Sequence, residues 1–445
     1  MNTPIADFVR GYEKKNMTRM HMPGHKGNIF CGCESMDITE ILGADSLYEA
    51  DGIIAESEAN ATTLFGTGKT FYSTEGSSQC IRAMLYLAML NAKKNKKMKV
   101  LATRNVHKAF VYAVALLDLE VEWVLPEGNM HSLCSCSISA REVEAYLSNM
   151  NEMPVAVYVT SPDYLGGELD IKGIADVCHK YGTILAVDNA HGAYLHFLHP
   201  CRHPMDLGAD ICCDSAHKTL PVLTGGAYLH ISKHAPEGFV QNAKQAMALF
   251  GSTSPSYLTL TSLDLCNQYL GNGYEEKLEE TILRMEKLRE EIKDAGWQLL
   301  YTDPLKLTMR TPEGVTGIEL AEKLRRSNVE CEYADPEYVV CMMTPENAEL
   351  DFEKLKNALK KNKAKYKEQK GFKNINCVKK MSIREAIFAK HEVVTVTEAL
   401  GCICGSPTVS CPPAIPVVIS GELIDEEAIQ ILKHYGMQTI EVVKE

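Results

Sequence analysis

The sequence predicts an α/β protein: a mostly parallel sheet with helices on both faces, followed by smaller α+β domains. Three observations carry this. Between residues 54 and 250, short continuous apolar runs alternate with amphipathic stretches, the pattern of strands buried on both faces and the helices that cover them. At 445 residues the chain exceeds one ordinary domain. Its 45% hydrophobic and 23% charged content leaves enough apolar side chains for a large core.

The elements follow in order. Residues 5–15 form a short amphipathic helix within an N-terminal arm (1–50), and Met22-Pro23-Gly24-His25-Lys26-Gly27 reads as a turn-rich loop. A large domain is expected over 51–295. It opens with a helix at 54–64 and a strand at 69–73. Glu75-Gly76-Ser77-Ser78 then starts a long helix with Ile81, Met84, Leu85, Ala88 and Met89 on one face. Six further strands are expected at 99–102, 121–124, 155–160, 184–188, 209–213 and 226–231, with helices at 141–148 and 173–181. Residues 235–295 read as largely helical. A small α+β domain is expected over 296–362, with strands at 297–301, 305–310, 329–333 and 339–343 and helices at 316–326 and 351–361. A lysine-rich linker (363–380) and a C-terminal domain (381–445) with two strands and a helix at 425–435 complete the chain.

The composition also excludes partners. A formal net charge of −12 argues against nucleic acid. The N-terminus lacks the apolar core of a signal peptide, and no run reaches membrane-spanning length, so a cytoplasmic protein is expected. The 16 cysteines lack the repeated C-x-x-C spacing of a zinc site and read as reduced thiols, with no metal.

In open α/β sheets ligands bind outside the carboxyl ends of the strands, which makes the strand ends informative. The stretch Asp214-Ser215-Ala216-His217-Lys218-Thr219-Leu220-Pro221 sets a lysine, a histidine and a serine between two apolar strands. A desolvated lysine tends to the neutral amine, the form that attacks a carbonyl to give a Schiff base. Gly76-Ser77-Ser78 brings two hydroxyls and backbone N–H groups to a helix N-terminus, either as an anion site or as a plain serine cap. Asp188 ends a strand, where it can cap a helix or pair with a protonated ring nitrogen. His107 follows another strand end with a planar ring.

Taken together these segments resemble the fold type I pyridoxal-phosphate enzymes, and within them the bacterial ornithine/lysine/arginine decarboxylase group. The resemblance covers nearly the whole chain. It rests on the loop at 22–27, Phe71-Tyr72-Ser73 through Ser78, Arg104-Asn105-Val106-His107-Lys108, Thr160-Ser161-Pro162 and Asp188-x-Ala190-His191-Gly192. Further matches are Ser215-x-His217-Lys218-Thr219-Leu220-Pro221, Ser252 through Tyr257, Asp303-Pro304-Leu305-Lys306-Leu307-Thr308 and Pro412-Pro413-Ala414-Ile415-Pro416.

The resemblance implies an aspartate-aminotransferase-like large domain with a seven-stranded sheet and pyridoxal 5'-phosphate as cofactor. Lys218 would carry the cofactor as an imine, and Asp188 would keep its ring nitrogen protonated. His107 would stack on the ring, Ala190 would pack below it, and His191 would sit near the phenolic oxygen. Ser77, Ser78, Ser215 and His217 would hold the phosphate, with Gly76 permitting close approach. Thr253 or Ser254 of a second copy would add a phosphate contact, which implies a homodimer with shared sites. The implied reaction is decarboxylation of arginine, lysine or ornithine to an amine and CO2, by a short form without an N-terminal wing domain. Transamination, β-elimination and a catalytically silent cofactor-binding paralogue are the alternatives. The chain departs from the group's pattern at Glu75, Asp163, Asn189, Gly225, Cys402, Cys411 and Ala414.

Overall fold

The structure is a computed structural model. It describes residues 1–445 except 93–97, 129–131, 301–302, 360–364, 367–370, 372–376, 408–414 and 445. Most of the expected linker, residues 412–414 of the C-terminal signature, and Cys411 therefore lie outside the described residues.

Seven strands form the main sheet: β1 (Lys69–Ser73), β2 (Lys99–Thr103), β3 (Glu120–Val124), β4 (Ala156–Thr160), β5 (Leu185–Asp188), β6 (Ile211–Asp214) and β7 (Ala227–Ile231). Their order is β1-β7-β6-β5-β4-β2-β3. The sheet is mostly parallel, as in the pairs β2–β3 and β5–β6, but β7 runs antiparallel to both its neighbours. The reason lies in the connection from β6 to β7. Residues 215–226 contain only one short helix, too little for the crossover that a parallel return requires.

The chain divides into two compact units, one of residues 1–94, 155–158 and 171–276, the other of residues 95–154, 159–170 and 277–445. In the first, the arm is held by helix ends. Helix α1 (Pro4–Lys14) has proline at its start, where a missing N–H is harmless. The N–H groups of Ile5 and Ala6 donate to Asp264 Oδ2 at 3.0 and 2.9 Å, which satisfies amides that no helical carbonyl can reach. Asp45 does the same for helix α2 (Ile53–Leu64), accepting from the N–H groups of Gly52 and Ile54. Helix α3 (Ser77–Asn91) buries the expected apolar face, including Ile81, Met84 and Leu85.

In the second unit, helix α4 (Lys108–Leu117) follows β2. An antiparallel sheet of β8 (Leu299–Leu300), β9 (Lys306–Arg310), β10 (Tyr333–Ala334) and β11 (Tyr338–Met342), ordered β10-β11-β9-β8, shares a core with the helices Gly317–Arg326 and Glu349–Ala358. The strands expected at 297–301, of which residue 301 lies outside the described residues, and at 329–333 start later, at β8 and β10. In both cases the preceding helix end takes residues from the strand. Gly296 and Asn328 adopt left-handed conformations (φ +96° and +56°), so the N–H groups of Trp297 and Val329 fold back to the carbonyls of Ile292 and Leu324. The C-terminal strands β12 (His391–Thr395) and β13 (Thr439–Val443) pair antiparallel.

Within this second unit a buried ion pair ties the segment after β2 to the C-terminal domain. Arg104 Nη1 and Nη2 donate to the two carboxylate oxygens of Glu422 at 2.7 and 2.6 Å, and the guanidinium lies 5.1 Å from the Trp123 ring centroid. Both side chains are less than a tenth exposed. Glu422→Ala leaves a buried, unpaired guanidinium and should destabilise the protein by about 3–5 kcal/mol in denaturant unfolding. The double variant Arg104→Met with Glu422→Leu, which buries no charge, should lose less; an equal loss would refute this account.

Candidate active site

The β6–β7 connection positions Lys218. Asp214 ends β6, Ser215 follows, and a single helical turn (Ala216–Thr219) carries His217 and Lys218. Both side chains are half-buried, so Lys218 is not the fully enclosed lysine that its flanking strands suggest. Lys218 Nζ lies 3.1 Å from Nε2 of His191, which is itself buried. His191 comes from the turn after β5, the strand that ends in Asp188.

Asp188 is buried, 2% exposed. Its Oδ2 accepts the Tyr158 hydroxyl at 3.2 Å, and its Oδ1 accepts the Ala190 N–H at 3.2 Å, with the Cys213 thiol at 3.7 Å. Burial pushes its carboxyl above the ordinary range, against the opposing pull of the Lys218 charge and these donors. A cationic N–H donor is the partner that would hold such a group ionised.

The residues expected to hold a phosphate also lie in this unit, apart from any in a second copy. Gly76, at φ +74°, caps α3, and a Cβ there would meet nothing closer than Ser78 N at 4.0 Å. Its N–H donates to the Gly225 carbonyl at 2.7 Å, and Ser215 Oγ donates to Ser77 Oγ at 2.8 Å. Ser78 is half-buried on the first turn of α3. His217 gives its Nδ1–H to the Gly226 carbonyl at 2.9 Å, so its Nε2 can donate to an anion only when the ring is protonated. Ala190 is buried beside Asp188, whereas Thr253 and Ser254 lie on an exposed loop. His107, in the other unit, is the N-cap of α4, its Nδ1 accepting the Ala109 N–H at 3.1 Å.

A lysine for the aldehyde, a buried acid for a ring nitrogen, and hydroxyls with a glycine at a helix N-terminus fit the chemistry of pyridoxal phosphate. Two departures from the family pattern gain reasons. A Cβ at Gly225 would approach the Thr74 carbonyl oxygen to 2.8 Å at a φ of +94°, so only glycine suits this backbone. Glu75, an acid beside a proposed phosphate site, uses its carboxylate to accept the Ser252 N–H.

Tyr158 was not expected at the site. It sits in mid-strand in β4, where alternation marks only which face it shares. The Asp303–Thr308 motif also gains a role inside the second unit. Asp303 Oδ1 accepts the N–H groups of Leu305 and Lys306 at 2.8 and 3.1 Å, and the buried Lys306 ammonium donates to the Asp163 carbonyl at 3.0 Å.

The fold is that of the pyridoxal-phosphate enzymes of fold type I. Its solved likenesses include a lysine decarboxylase, LdcF, from Francisella novicida (TM-score 0.80, 16% identity, covering 99% of this chain and 81% of that one). Residues 3–301 match the family described as Orn/Lys/Arg decarboxylase, major domain, and the chain belongs to that family. Among its relatives, an uncharacterised protein, YaaO, from Bacillus subtilis strain 168 is 29% identical, over 97% of this chain and 94% of its own length. An arginine decarboxylase from the same organism is 28% identical, over 97% and 93%.

Burial raises the Asp163 carboxyl from an ordinary 3.8 to about 6, against the lowering effect of the Gly167 N–H and of Lys306. The folded protein therefore binds a proton here more tightly than the unfolded chain, and this contribution to stability is lost as the pH rises from about 4 through 6. At about 1.36 kcal/mol per pH unit the loss is about 3 kcal/mol. Asp163→Asn should flatten that part of the stability–pH curve and exceed wild type in unfolding free energy at pH 7. A parallel pair of curves would refute it.

Proposed function

We propose that this protein decarboxylates a basic amino acid, with pyridoxal 5'-phosphate held on Lys218. The observation that supports this best is the amine of Lys218 against the His191 imidazole, on the turn next to the buried acid Asp188. Arginine comes first among arginine, lysine and ornithine, because the arginine decarboxylase relative aligns over nearly all of this chain.

The cofactor, when bound, supplies an electron sink for the pair released as the Cα–carboxylate bond breaks. This chain's residues do the rest. Asp188 holds a proton on the ring nitrogen, and the Tyr158 and Ala190 donors keep its carboxylate oriented. His191 can accept a proton from the Lys218 ammonium, leaving the neutral amine that would hold the cofactor. Ser77, Ser78, Ser215 and a protonated His217 take the phosphate at the Gly76 turn. On the family resemblance, His107 would stack on the ring and Ala190 would pack against it. Orientation of the scissile bond, rather than acid–base strength, is the protein's main contribution.

A second copy of the chain completes the site in this reading, with Thr253 or Ser254 as phosphate donors. Met20, Met22, Ile29, Phe30 and Leu42 of the arm are each at least two-thirds exposed, an apolar display typical of a surface covered by a partner. No helix among the described residues is long and apolar enough to cross a membrane.

Purified wild type should show a visible absorption band that borohydride removes, and Lys218→Ala should lack it. Wild type should release CO2 from arginine faster than from lysine or ornithine. Keto-acid formation without CO2 would redirect the assignment to transamination, and absence of a reducible band would end the cofactor reading. Sedimentation should give a dimer; a monomer at working concentration would refute the shared site.

A further inference from the structure

Asp214 stands one residue before Ser215 and four before Lys218, yet the proposed chemistry gives it no part. Its carboxylate is fully buried. Oδ1 accepts Nδ2–H of Asn189 at 2.6 Å, and Oδ2 accepts from Nε2 of His203 at 3.0 Å and Nε2 of His230 at 3.1 Å. Both histidines are also fully buried. Burial alone would raise the Asp214 carboxyl; the two imidazoles facing it outweigh that and hold it below the ordinary carboxylate range.

Two histidines and an aspartate are also a metal-ligand set, and their atoms lie close together. The hydrogen bonds oppose that use. The Met205 N–H donates to His203 Nδ1 at 3.3 Å, which places the ring proton on Nε2, toward Asp214. A metal would need the Nε2 lone pair. On the far side of the cluster His230 Nδ1 meets the Thr70 hydroxyl at 2.8 Å, and Thr70 meets the Thr67 hydroxyl at 2.8 Å.

The cluster leads to the site through Asn189. That residue follows Asp188, and its N–H donates to the Cys213 carbonyl at 3.0 Å, continuing the β5–β6 pairing of Asp188 with Cys213. Its side chain also lies against the His191 turn, where a Cβ added at Gly192 would come within 2.1 Å of Asn189 Oδ1. We propose that Asp214 is a positioning residue. Anchored by His203 and His230, it fixes Asp188 and the His191 turn through Asn189, and through its own chain it fixes the turn bearing Ser215, His217 and Lys218. This rests on the cofactor reading above.

The 2.6 Å bond supplies its own test. In Asp214→Asn, an amide oxygen turned toward the imidazoles leaves an NH2 group facing Asn189, so the charge-assisted bond is lost even where the Asn189 amide turns over to accept from it. The expected result is amide exchange at 189–192 and 215–218 at least tenfold faster in the cofactor-free protein, with a folded circular-dichroism spectrum. Pyridoxal-phosphate affinity should fall about tenfold and kcat about 10- to 100-fold, with KM changed much less, as for misplacement of a reacting group. The double variant Asn189→Asp with Asp214→Asn restores a carboxylate and a donor across the same bond, and should recover most of each loss.

His230→Gln, which removes one donor, should give an intermediate effect and serves if Asp214→Asn does not fold. Wild-type exchange, affinity and kcat in these variants would overturn the proposal, as would a lowered melting temperature with unchanged kcat per folded molecule. Stoichiometric zinc in purified wild type, absent from His230→Gln, would also overturn it, in favour of a metal site. Should wild type bind no pyridoxal phosphate, the cofactor reading fails, while exchange in the cofactor-free protein still decides the anchoring.

Discussion

A carboxylate buried at the end of a strand is the constraint around which the candidate site is arranged. Asp188 has lost its water, and the neutral donors around it do not replace a full positive charge. Such a group is costly to maintain unless something cationic meets it. The surrounding chain supplies a phenol, a backbone amide, a thiol and the charge of Lys218, and burial still outweighs them. In the proposed reading, a protonated ring nitrogen would offset the burial that disfavours the Asp188 carboxylate. Loss of that ligand should cost stability as well as activity.

The direction of β7 decides where the lysine falls. A helical crossover after β6 would carry the chain along the sheet face and away from the strand's carboxyl end. The short antiparallel return instead keeps residues 215–226 at that end, where one helical turn presents His217 and Lys218. Close backbone contacts then fix the turn, with Gly76 N–H on the Gly225 carbonyl and His217 Nδ1 on that of Gly226. Glycine at 225 follows from the approach of Thr74 rather than from any contact with a ligand.

Much of this was legible in the amino-acid pattern, because buried strands and their polar ends differ sharply in composition. The apolar run into Asp214, the apolar run from Ala227, and the polar stretch between them located the lysine turn. Alternation likewise gave the order of strands and helices. What stayed hidden were links between residues distant in sequence. Tyr158 reaches Asp188 only because β4 lies beside β5, an adjacency that strand order alone settles. His203 sits in an irregular segment with no periodicity, and its role depends on a strand end eleven residues away. Where strands are expected to start, at 297 and 329, the apolar residues Trp297 and Val329 serve the preceding helix ends, and hydrophobicity does not distinguish the two uses.

The buried charges of this chain obey one rule with three solutions. Arg104 and Glu422 satisfy each other through two parallel hydrogen bonds, so neither needs a ligand. Lys306 is held by a carbonyl at 3.0 Å and a carboxylate oxygen of Asp303 at 4.0 Å, and burial still lowers its pKa. Asp214 is surrounded by three side-chain donors, and the two imidazoles among them hold its carboxyl below the ordinary range. Burial instead raises the carboxyls of Asp188 and Asp163, whose donors do not offset it. In the proposed reading a protonated ring nitrogen would meet Asp188, whereas Asp214 would position the turn that carries Lys218.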